Sequence, residues 1–187
     1  MVMRRLNGGS GGEAGEAAFD ELFRAVWPRA VVAARRIVGI GDDAEGLAAE
    51  ALTRAYDRWP SVRLHPAPEA WVLRVTINLA LDRVRQQSRW GDGTLSDPGP
   101  TSSRGEIVER FDDETVVRLA LCAALRQLPQ KQRDAIGLRY LAGCVEEEIA
   151  SAMKISPGTV KTHLKRGLEK LRAQDGRDRE ASLALAP

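Results

Sequence analysis

Apolar residues along this chain recur mostly every three or four positions, which is the spacing of an amphipathic helix. The pattern runs almost continuously from Phe19 to Trp90 and resumes from Glu114 to about Ala173. Within the first stretch it is interrupted at 39–43 and 60–69, where glycines or prolines indicate loops. No run of alternating β-branched residues predicts a strand, so we expect an all-α fold.

Segments poor in apolar residues divide this helical pattern into two predicted domains. The first 16 residues are rich in glycine and are expected to be disordered. The stretch GDGTLSDPGPTSSRG (91–105) has almost no apolar side chain to bury, so it is interpreted as part of a flexible linker. We therefore predict a disordered N-terminus, a small helical domain, a linker, a second small helical domain and a loose tail, at 1–16, 17–90, 91–113, 114–173 and 174–187.

The positive charge of the chain is concentrated toward its C-terminal end. The net charge of the whole chain is only +2, and no lysine precedes Lys131. Between 154 and 172 a single anion, Glu169, stands against the cations Lys154, Lys161, Lys165, Arg166, Lys170 and Arg172. This local concentration, rather than bulk charge, favours a nucleic-acid partner; a solvated amphipathic helix is the alternative.

Two short helices are predicted around this basic segment. The first, VEEEIASAM (145–153), has its glutamates in the first turn, where they suit the helix dipole, and the turn KIS follows it. Ser156 is then a good N-cap, and Pro157 suits the first position of the second helix. The apolar face of that helix is formed by Val160, Leu164, Leu168 and Leu171. A helix, a tight turn and a capped helix with a cationic outer face indicate a helix-turn-helix that enters the major groove of DNA.

A long helix of the first predicted domain is apolar around much of its circumference: EAWVLRVTINLALDRVRQQSRW (69–90). This predicts burial on two sides in a helical bundle. Between the apolar faces, Arg74, Asn78 and Arg85 fall within a narrow arc. Arginine suits a phosphate and asparagine suits a base edge, so the arc is a candidate nucleic-acid surface. Alternatively, the arginines are ordinary surface residues and Asn78 caps a neighbouring backbone group.

Several stretches carry a resemblance to a known family. The helix AWVLRVTINLALDRVR is similar to the signature helix of extracytoplasmic-function (ECF) sigma factors, which are small members of the sigma-70 family. Regions 2.1 and 2.2 of that family are matched in place and pattern by FDELFRAVWPRAVVAARRIVG and DDAEGLAAEALTRAYDRW. The basic helix lies in a segment that resembles region 4, LPQKQRDAIGLRYLAGCVEEEIASAMKISPGTVKTHLKRGLEKLRA. The resemblance covers 19–90 and 115–173 and implies a region 2 helical bundle and a region 4 helix-turn-helix.

The resemblance implies a division of labour between the two domains. The first would bind core RNA polymerase and open the −10 promoter element, and the second would read the −35 element as duplex DNA. Asn78, with the 61–69 loop, matches the position that captures a flipped base. The other implied DNA-binding residues are Arg74, Arg83, Arg85, Thr159, Lys161, Thr162, Lys165 and Arg166. An anti-sigma factor is implied as a further partner, and neither catalysis nor a cofactor is implied.

The helix expected to bind polymerase departs from the family pattern. Gly46 and Ala49 stand where the family usually has an acidic residue and a glutamine. We therefore expect core binding either to be weaker or to depend more on the other polymerase-binding residues of this helix, Glu45, Leu47, Glu50 and Arg54. In the second domain, Val145 stands where a serine or threonine commonly caps the helix, a loss of about 1 kcal/mol.

Three other functions stay open at this point. The segment TVKTHLKRGLEKL also resembles the DNA-binding helix of LuxR-type regulators, although 19–90 lacks the alternating strands and helices of a receiver domain. A degenerate sigma-like decoy that only binds protein is compatible with Gly46 and Ala49. A nuclease could use the acidic residues Asp42, Asp43, Glu45 and Glu50, yet no catalytic constellation accompanies them.

The cysteine, histidine and hydropathy patterns bear on metal binding, disulfide bonds and membrane insertion. No zinc-ligand spacing relates the four residues His65, Cys122, Cys144 and His163, so no metal site is predicted. Two cysteines are too few for a disulfide framework, so we expect both thiols to be reduced. No apolar run approaches the roughly 18 residues that span a bilayer, and the glycine-rich start has no signal-peptide core. We expect a cytoplasmic protein without membrane insertion.

Overall fold

The structure, a computed structural model, describes residues 11–40, 42–93 and 113–184. Within these ranges the chain forms helices and no strand, so the predicted all-α class is confirmed. The helices in chain order are α1 (Gly11–Val38), α2 (Ala44–Asp57), α3 (Trp59–Val62), α4 (Pro68–Gly93), α5 (Asp113–Gln127), α6 (Gln130–Ile136), α7 (Glu146–Met153) and α8 (Pro157–Ala184). A π-helical turn, Gly137–Leu141, continues α6. We call α1 to α4 the first module, and α5 to α8 with the π-helical turn the second module.

The first module begins earlier than the composition predicts. Helix α1 starts at Gly11, inside the segment that is expected to be disordered, and 1–10 lies outside the described residues. From Glu13 to Ala18 the chain reads EAGEAA, and its glutamates and alanines favour a helix despite Gly15. Trp59 also holds the start of α1 in place, since its Nε1 donates a hydrogen bond to the carbonyl oxygen of Gly15 at 2.9 Å.

Two other predicted boundaries also shift toward more helix. Because α4 continues to Gly93 and α5 starts at Asp113, most of the predicted linker lies outside the described residues. Helix α8 runs to Ala184, so the tail expected from 174 onward is helical over most of its length. No proline stands between 174 and Ala184 to break the helix.

Helix α4 occupies the centre of the molecule. It packs against α1 and α2 on one side and against α5, the π-helical turn and α7 on another, as its two-sided apolar pattern predicts. Val72, Leu73 and Ile77 are buried along it. Thr76 is also buried, and its hydroxyl donates a hydrogen bond to the carbonyl oxygen of Val72 at 3.0 Å. Helix α4 therefore fixes the position of the side chains on the strip of its surface that stays exposed.

The second module depends on a close approach of α6 and α8. Gly167 of α8 is buried, and a Cβ atom there would lie 2.5 Å from Ile136 Cδ1. Only glycine lets the two helices pack this closely without displacing Ile136. The predicted apolar face of α8 also packs inward, through Val160, Leu164, Leu168 and Leu171. This packing turns the basic residues of α8 to the outside.

Helix α7 starts without a side-chain cap, as the sequence predicts. Val145 is the N-cap residue, and a valine side chain has no hydrogen-bond acceptor. Glu148 forms the other half of a capping box, because its carboxylate accepts a hydrogen bond from the Val145 backbone N–H at 2.8 Å. At the other end of α7, Lys154 takes a left-handed conformation with φ 55°, which turns the chain into α8.

Replacing Val145 with threonine is expected to stabilise the protein by about 0.5–1 kcal/mol. The hydroxyl would accept a hydrogen bond from the backbone N–H of Glu148 and complete the capping box. Little packing is lost, because Val145 is 49% exposed. Urea unfolding of Val145→Thr beside Val145→Ala measures the effect, and a threonine variant no more stable than the alanine variant would contradict this explanation.

Both cysteines are buried and free. Burial raises the pKa of the Cys122 thiol, and burial raises the pKa of Cys144 to about 11, although the nearby Arg29 acts in the opposite direction. Both thiols are therefore protonated at neutral pH and pack as small apolar groups.

Candidate nucleic-acid interface

The basic helix α8 is oriented by its N-terminal turn. Ser156 Oγ accepts a hydrogen bond from the Thr159 backbone N–H at 3.1 Å, as expected of an N-cap. Ile155 is partly buried against the core and Val160 is fully buried, which is the arrangement of a hydrophobic staple. The angle between α7 and the first turns of α8 is therefore fixed by both polar and apolar contacts.

The outer face of α8 carries the residues predicted to bind duplex DNA. Four of them are exposed and one is partly exposed: Lys161, Thr162, Lys165, Arg166 and, partly, Thr159. Lys161 Nζ lies 3.6 Å from the carboxylate of Glu146 on α7. Among the described residues, no carboxylate lies within ion-pair distance of Lys165 or Arg166. These two cations are the ones most available to phosphates and base edges.

Two of the residues predicted on α4 line a second candidate site. Arg74 and Asn78 are both partly buried in a cleft between the modules. Asn78 Nδ2 donates a hydrogen bond to the carbonyl oxygen of Arg74 at 2.9 Å. This is the kind of backbone contact that the sequence analysis gave as the alternative role of Asn78. Asn78 also reaches the second module, since Nδ2 donates to Asp134 at 3.4 Å and Oδ1 accepts from Gln130 at 3.3 Å.

The other two predicted arginines of α4 lie in different places. Arg85 is exposed on the same arc as Arg74, and its guanidinium lies 3.7 Å from the carboxylate of Asp82. Arg83 lies about 180° around the helix from Arg74, where its guanidinium is 4.0 Å from the carboxylate of Asp42. The structure therefore keeps Arg85 near the cleft and separates Arg83 from it.

The Asn78 cleft includes side chains that the sequence alone did not assign to DNA. Its volume is about 460 Å³, and Arg54, Arg58 and Trp71 contribute to its walls. Arg54 and Arg58 are four residues apart at the end of α2, so their shared face could be read from the sequence. That this face meets α4 depends on tertiary packing. Guanidinium groups, an aromatic ring and an amide together suit a single nucleic-acid strand.

The residues predicted to bind polymerase lie on the outer face of α2, with one exception. Glu45, Glu50 and Arg54 are exposed, and Arg54 Nε donates a hydrogen bond to Glu50 at 2.9 Å. Leu47 is only 8% exposed and packs in the core, because it lies on the buried face of the helix. This corrects the sequence-based assignment: the Leu47 side chain supports α2 from inside and is not part of its surface.

Gly46 has a structural role in the first turn of α2. Asp43 is the N-cap residue, and its Oδ1 accepts a hydrogen bond from the Gly46 backbone N–H at 2.6 Å. A Cβ atom on Gly46 would collide with this carboxylate. The glycine therefore permits the cap, at a position where a larger residue would have to displace Asp43.

The acidic residues before α2 also have structural partners. Asp43 caps the helix, and Asp42 accepts a hydrogen bond from Gln87 Nε2 at 2.6 Å. In the described part of the chain, no group of three or more His, Cys, Asp or Glu side chains is placed to hold a metal ion. In that same part, no helix combines the length and apolarity needed to cross a membrane.

Comparisons with known proteins match both modules to one family. Residues 22–89 match the family model of sigma-70 region 2, and residues 118–171 match that of sigma-70 region 4. The chain is 32% identical over 156 residues to the RNA polymerase sigma-E factor of Streptomyces coelicolor, covering 83% of this chain and 85% of that protein. It is also 32% identical over 147 residues to the ECF RNA polymerase sigma factor SigW of Bacillus subtilis, covering 74% of this chain and 79% of SigW.

A solved structure shares the fold. The structure of CnrH in complex with the cytosolic domain of CnrY matches with a TM-score of 0.50 and 19% identity, covering 89% of this chain and 95% of that chain. At this identity the likeness concerns the fold alone. The sequence matches go further, because they cover both modules in the predicted order. The chain belongs to the ECF sigma factors of the sigma-70 family.

Proposed function

We propose that this protein is a promoter-specificity factor, which binds core RNA polymerase and directs it to promoters with matching −10 and −35 elements. The observation that carries the proposal is the match of both modules to sigma-70 regions, together with 32% identity to a sigma-E factor over 83% of the chain. The protein acts through binding energy alone and has no catalytic activity. It acts in the cytoplasm, where polymerase and chromosome meet.

The second module is proposed to read the −35 element as duplex DNA. The outer face of α8 enters the major groove and presents Thr159, Lys161, Thr162, Lys165 and Arg166. Arg166 suits bidentate binding to guanine, and Lys165 suits a phosphate. Lys161 is drawn toward α7 by Glu146, which favours contact with the DNA backbone at the groove edge.

The first module is proposed to hold the melted −10 strand in the Asn78 cleft. Extruding a base costs a few kcal/mol of unstacking, so the cleft must return about that much in contacts. Asn78 supplies a base-edge contact, and Arg74 and Arg85 track the phosphates beside it. Arg83 lies on the opposite side of α4, so it serves only a part of the strand that leaves the cleft.

The outer face of α2 is proposed to bind core polymerase. Glu45, Glu50 and Arg54 supply the charged contacts on this face, while Gly46 and Ala49 contribute no polar side chain. Arg54 also borders the Asn78 cleft, so it stands between the polymerase surface and the DNA surface. Family membership adds an anti-sigma factor to the proposed partners.

In vitro transcription with core polymerase and fragments of the host genome tests the proposal. The purified protein should start transcripts at a small set of sites, and the upstream sequences should share −10 and −35 elements. Core polymerase alone is the control and should start none of them. If the protein binds DNA but never changes where the polymerase starts, the chain is a stand-alone regulator of the LuxR kind.

A protein-binding decoy is the second candidate function. It is favoured by one observation, the absence of polar side chains at Gly46 and Ala49 on the polymerase-facing helix. A decoy would bind its protein partner yet support no initiation in the same assay. Titration with core polymerase, measured by fluorescence anisotropy of the labelled protein, separates the two: a promoter-specificity factor binds core polymerase, and its complex then starts transcription.

A further inference from the structure

An ion pair links the two helices of the helix-turn-helix. Glu146 is the first residue of α7, and its Oε2 lies 3.6 Å from Lys161 Nζ on α8. The Glu146 side chain is 30% exposed and the Lys161 side chain is 69% exposed. The glutamate is therefore the more buried partner, and the lysine is the one that faces solvent on the DNA-binding side of α8.

The first turn of α7 lies where a helix-turn-helix meets the DNA backbone. In this motif the first helix crosses the backbone, and the free N–H groups at a helix N-terminus attract phosphates. Here the turn carries three glutamates, Glu146, Glu147 and Glu148. Carboxylates suit the dipole of the helix, but they repel a phosphate at the same end. An approaching duplex therefore meets negative charge at this turn.

The three glutamates differ in their contacts. Glu148 accepts a hydrogen bond from a backbone N–H at 2.8 Å and lies 3.7 Å from Arg29, so it serves the fold. Glu147 is exposed, and no cation in the described part of the chain lies within ion-pair distance of it. Of the three, only Glu146 pairs with a residue that is proposed to bind DNA, which is Lys161.

The carboxylate of Glu146 limits the places at which Lys161 can meet DNA. A lysine side chain is long and flexible and acts as a point charge, so an unpaired lysine can follow phosphates over a range of positions. An ammonium group has three N–H donors, so Lys161 can stay beside Glu146 and still donate to one phosphate at the groove edge. To reach a phosphate elsewhere, Lys161 would have to leave the carboxylate.

We propose that Glu146 is a positioning residue, which confines Lys161 to one place on the DNA backbone and thereby favours the −35 element over other duplexes. The inference rests on the proposed reading of duplex DNA by α8. Phosphate contacts fix the register of a protein on DNA, and specificity is the difference between the affinities for right and wrong sites. Glu146 lowers both affinities by repulsion, and it lowers the affinity for wrong sites more.

Glu146→Gln in the intact protein tests this proposal. The substitution keeps the size of the side chain and removes its charge. A preferred duplex is first selected from a random pool without polymerase, and its affinity is compared by anisotropy with that of a shuffled duplex. We expect the affinity for the shuffled duplex to rise about fivefold, as one additional phosphate contact would give near physiological salt. The affinity for the preferred duplex should rise by about twofold or less, so the ratio of the two affinities falls.

Glu147→Gln is the matched control, because it removes the same charge from the next position of the same turn. Glu147 has no ion partner among the residues that the structure describes, so both duplexes should gain affinity by the same factor. Lys161→Ala supplies a second control. In that background Glu146→Gln should leave the affinity ratio unchanged, since no lysine remains to be positioned. A ratio that falls equally in Glu147→Gln and Glu146→Gln would mean that the turn acts by general charge, which overturns the proposal.

This proposal and the function on which it rests fail differently. A purified protein that prefers no duplex refutes the reading of the −35 element, and the role of Glu146 with it. A preference that is the same in Glu146→Gln as in the unmodified protein refutes the role of Glu146 alone. Thermal unfolding of Glu146→Gln should match that of the unmodified protein, because an exposed ion pair contributes little to folding. A changed ratio in a variant of unchanged stability therefore supports the positioning role.

Discussion

Replacing Lys165 and Arg166 together with alanine is expected to weaken binding to −35 duplex DNA by about tenfold or more. Both side chains are exposed on the outer face of α8 and lack a carboxylate partner among the described residues. A good base contact contributes about 1–3 kcal/mol. Each lost phosphate contact should also lower the slope of log affinity against log salt by about one. Anisotropy titrations at several salt concentrations measure both effects.

The matched control is Lys170→Ala/Arg172→Ala. It removes the same charge from exposed positions of the same helix. These positions lie further along α8 from its N-terminal turn than Lys165 and Arg166 do. We expect this control to change −35 affinity much less than the Lys165→Ala/Arg166→Ala variant. Core polymerase binding should stay the same in both. Equal losses in the two variants would mean that α8 attracts DNA by general charge and does not read the groove.

The helix-turn-helix was predictable because each of its signals is local. Ser156 and Pro157 mark the start of α8, and Val160 and Leu164 recur at helical spacing on its inner face. The structure has the helix start and the buried face where these residues place them. These signals involve residues within about one turn of each other, so the start and the inner face of the helix can be read directly from the sequence.

The polymerase-facing helix shows the limit of assigning residues by resemblance. A family match gives the position of Leu47 in the helix, but exposure depends on which face packs inward. Leu47 shares its face with Ala44, Ala48 and Ala51, all buried, and this three- and four-residue spacing was available in the sequence. Helical periodicity was therefore the better guide to Leu47 than the resemblance.

The junction between the modules could not be predicted from the sequence. The circumference of α4 indicated two-sided burial, but nothing local identified the second module as the partner on its far side. Asn78 and Asp134 are 56 residues apart, and their contact depends on how complete modules pack. The glycine at 137 gave no signal either, because its close approach to Ile77 exists only in the packed molecule.

Replacing Asn78 with alanine is expected to slow open-complex formation by about tenfold or more, with little change in −35 duplex binding. The amide is proposed to contact an extruded base, so its loss removes free energy that offsets unstacking. Duplex recognition by α8 does not involve this side chain. Permanganate footprinting of the melted −10 region gives the rate of opening, and duplex anisotropy gives the affinity for the −35 element. Equal losses in both assays would contradict the assignment.

Gln130→Ala separates the two roles of Asn78. It breaks the junction hydrogen bond from the side of the second module and leaves the Asn78 amide in place. If Asn78 acts on the extruded base, Gln130→Ala should open the promoter at least as fast as the unmodified protein, because the Asn78 amide is retained and its oxygen is released from Gln130. If Gln130→Ala slows opening as much as Asn78→Ala does, the Asn78 amide serves the junction and the base contact must lie elsewhere in the cleft.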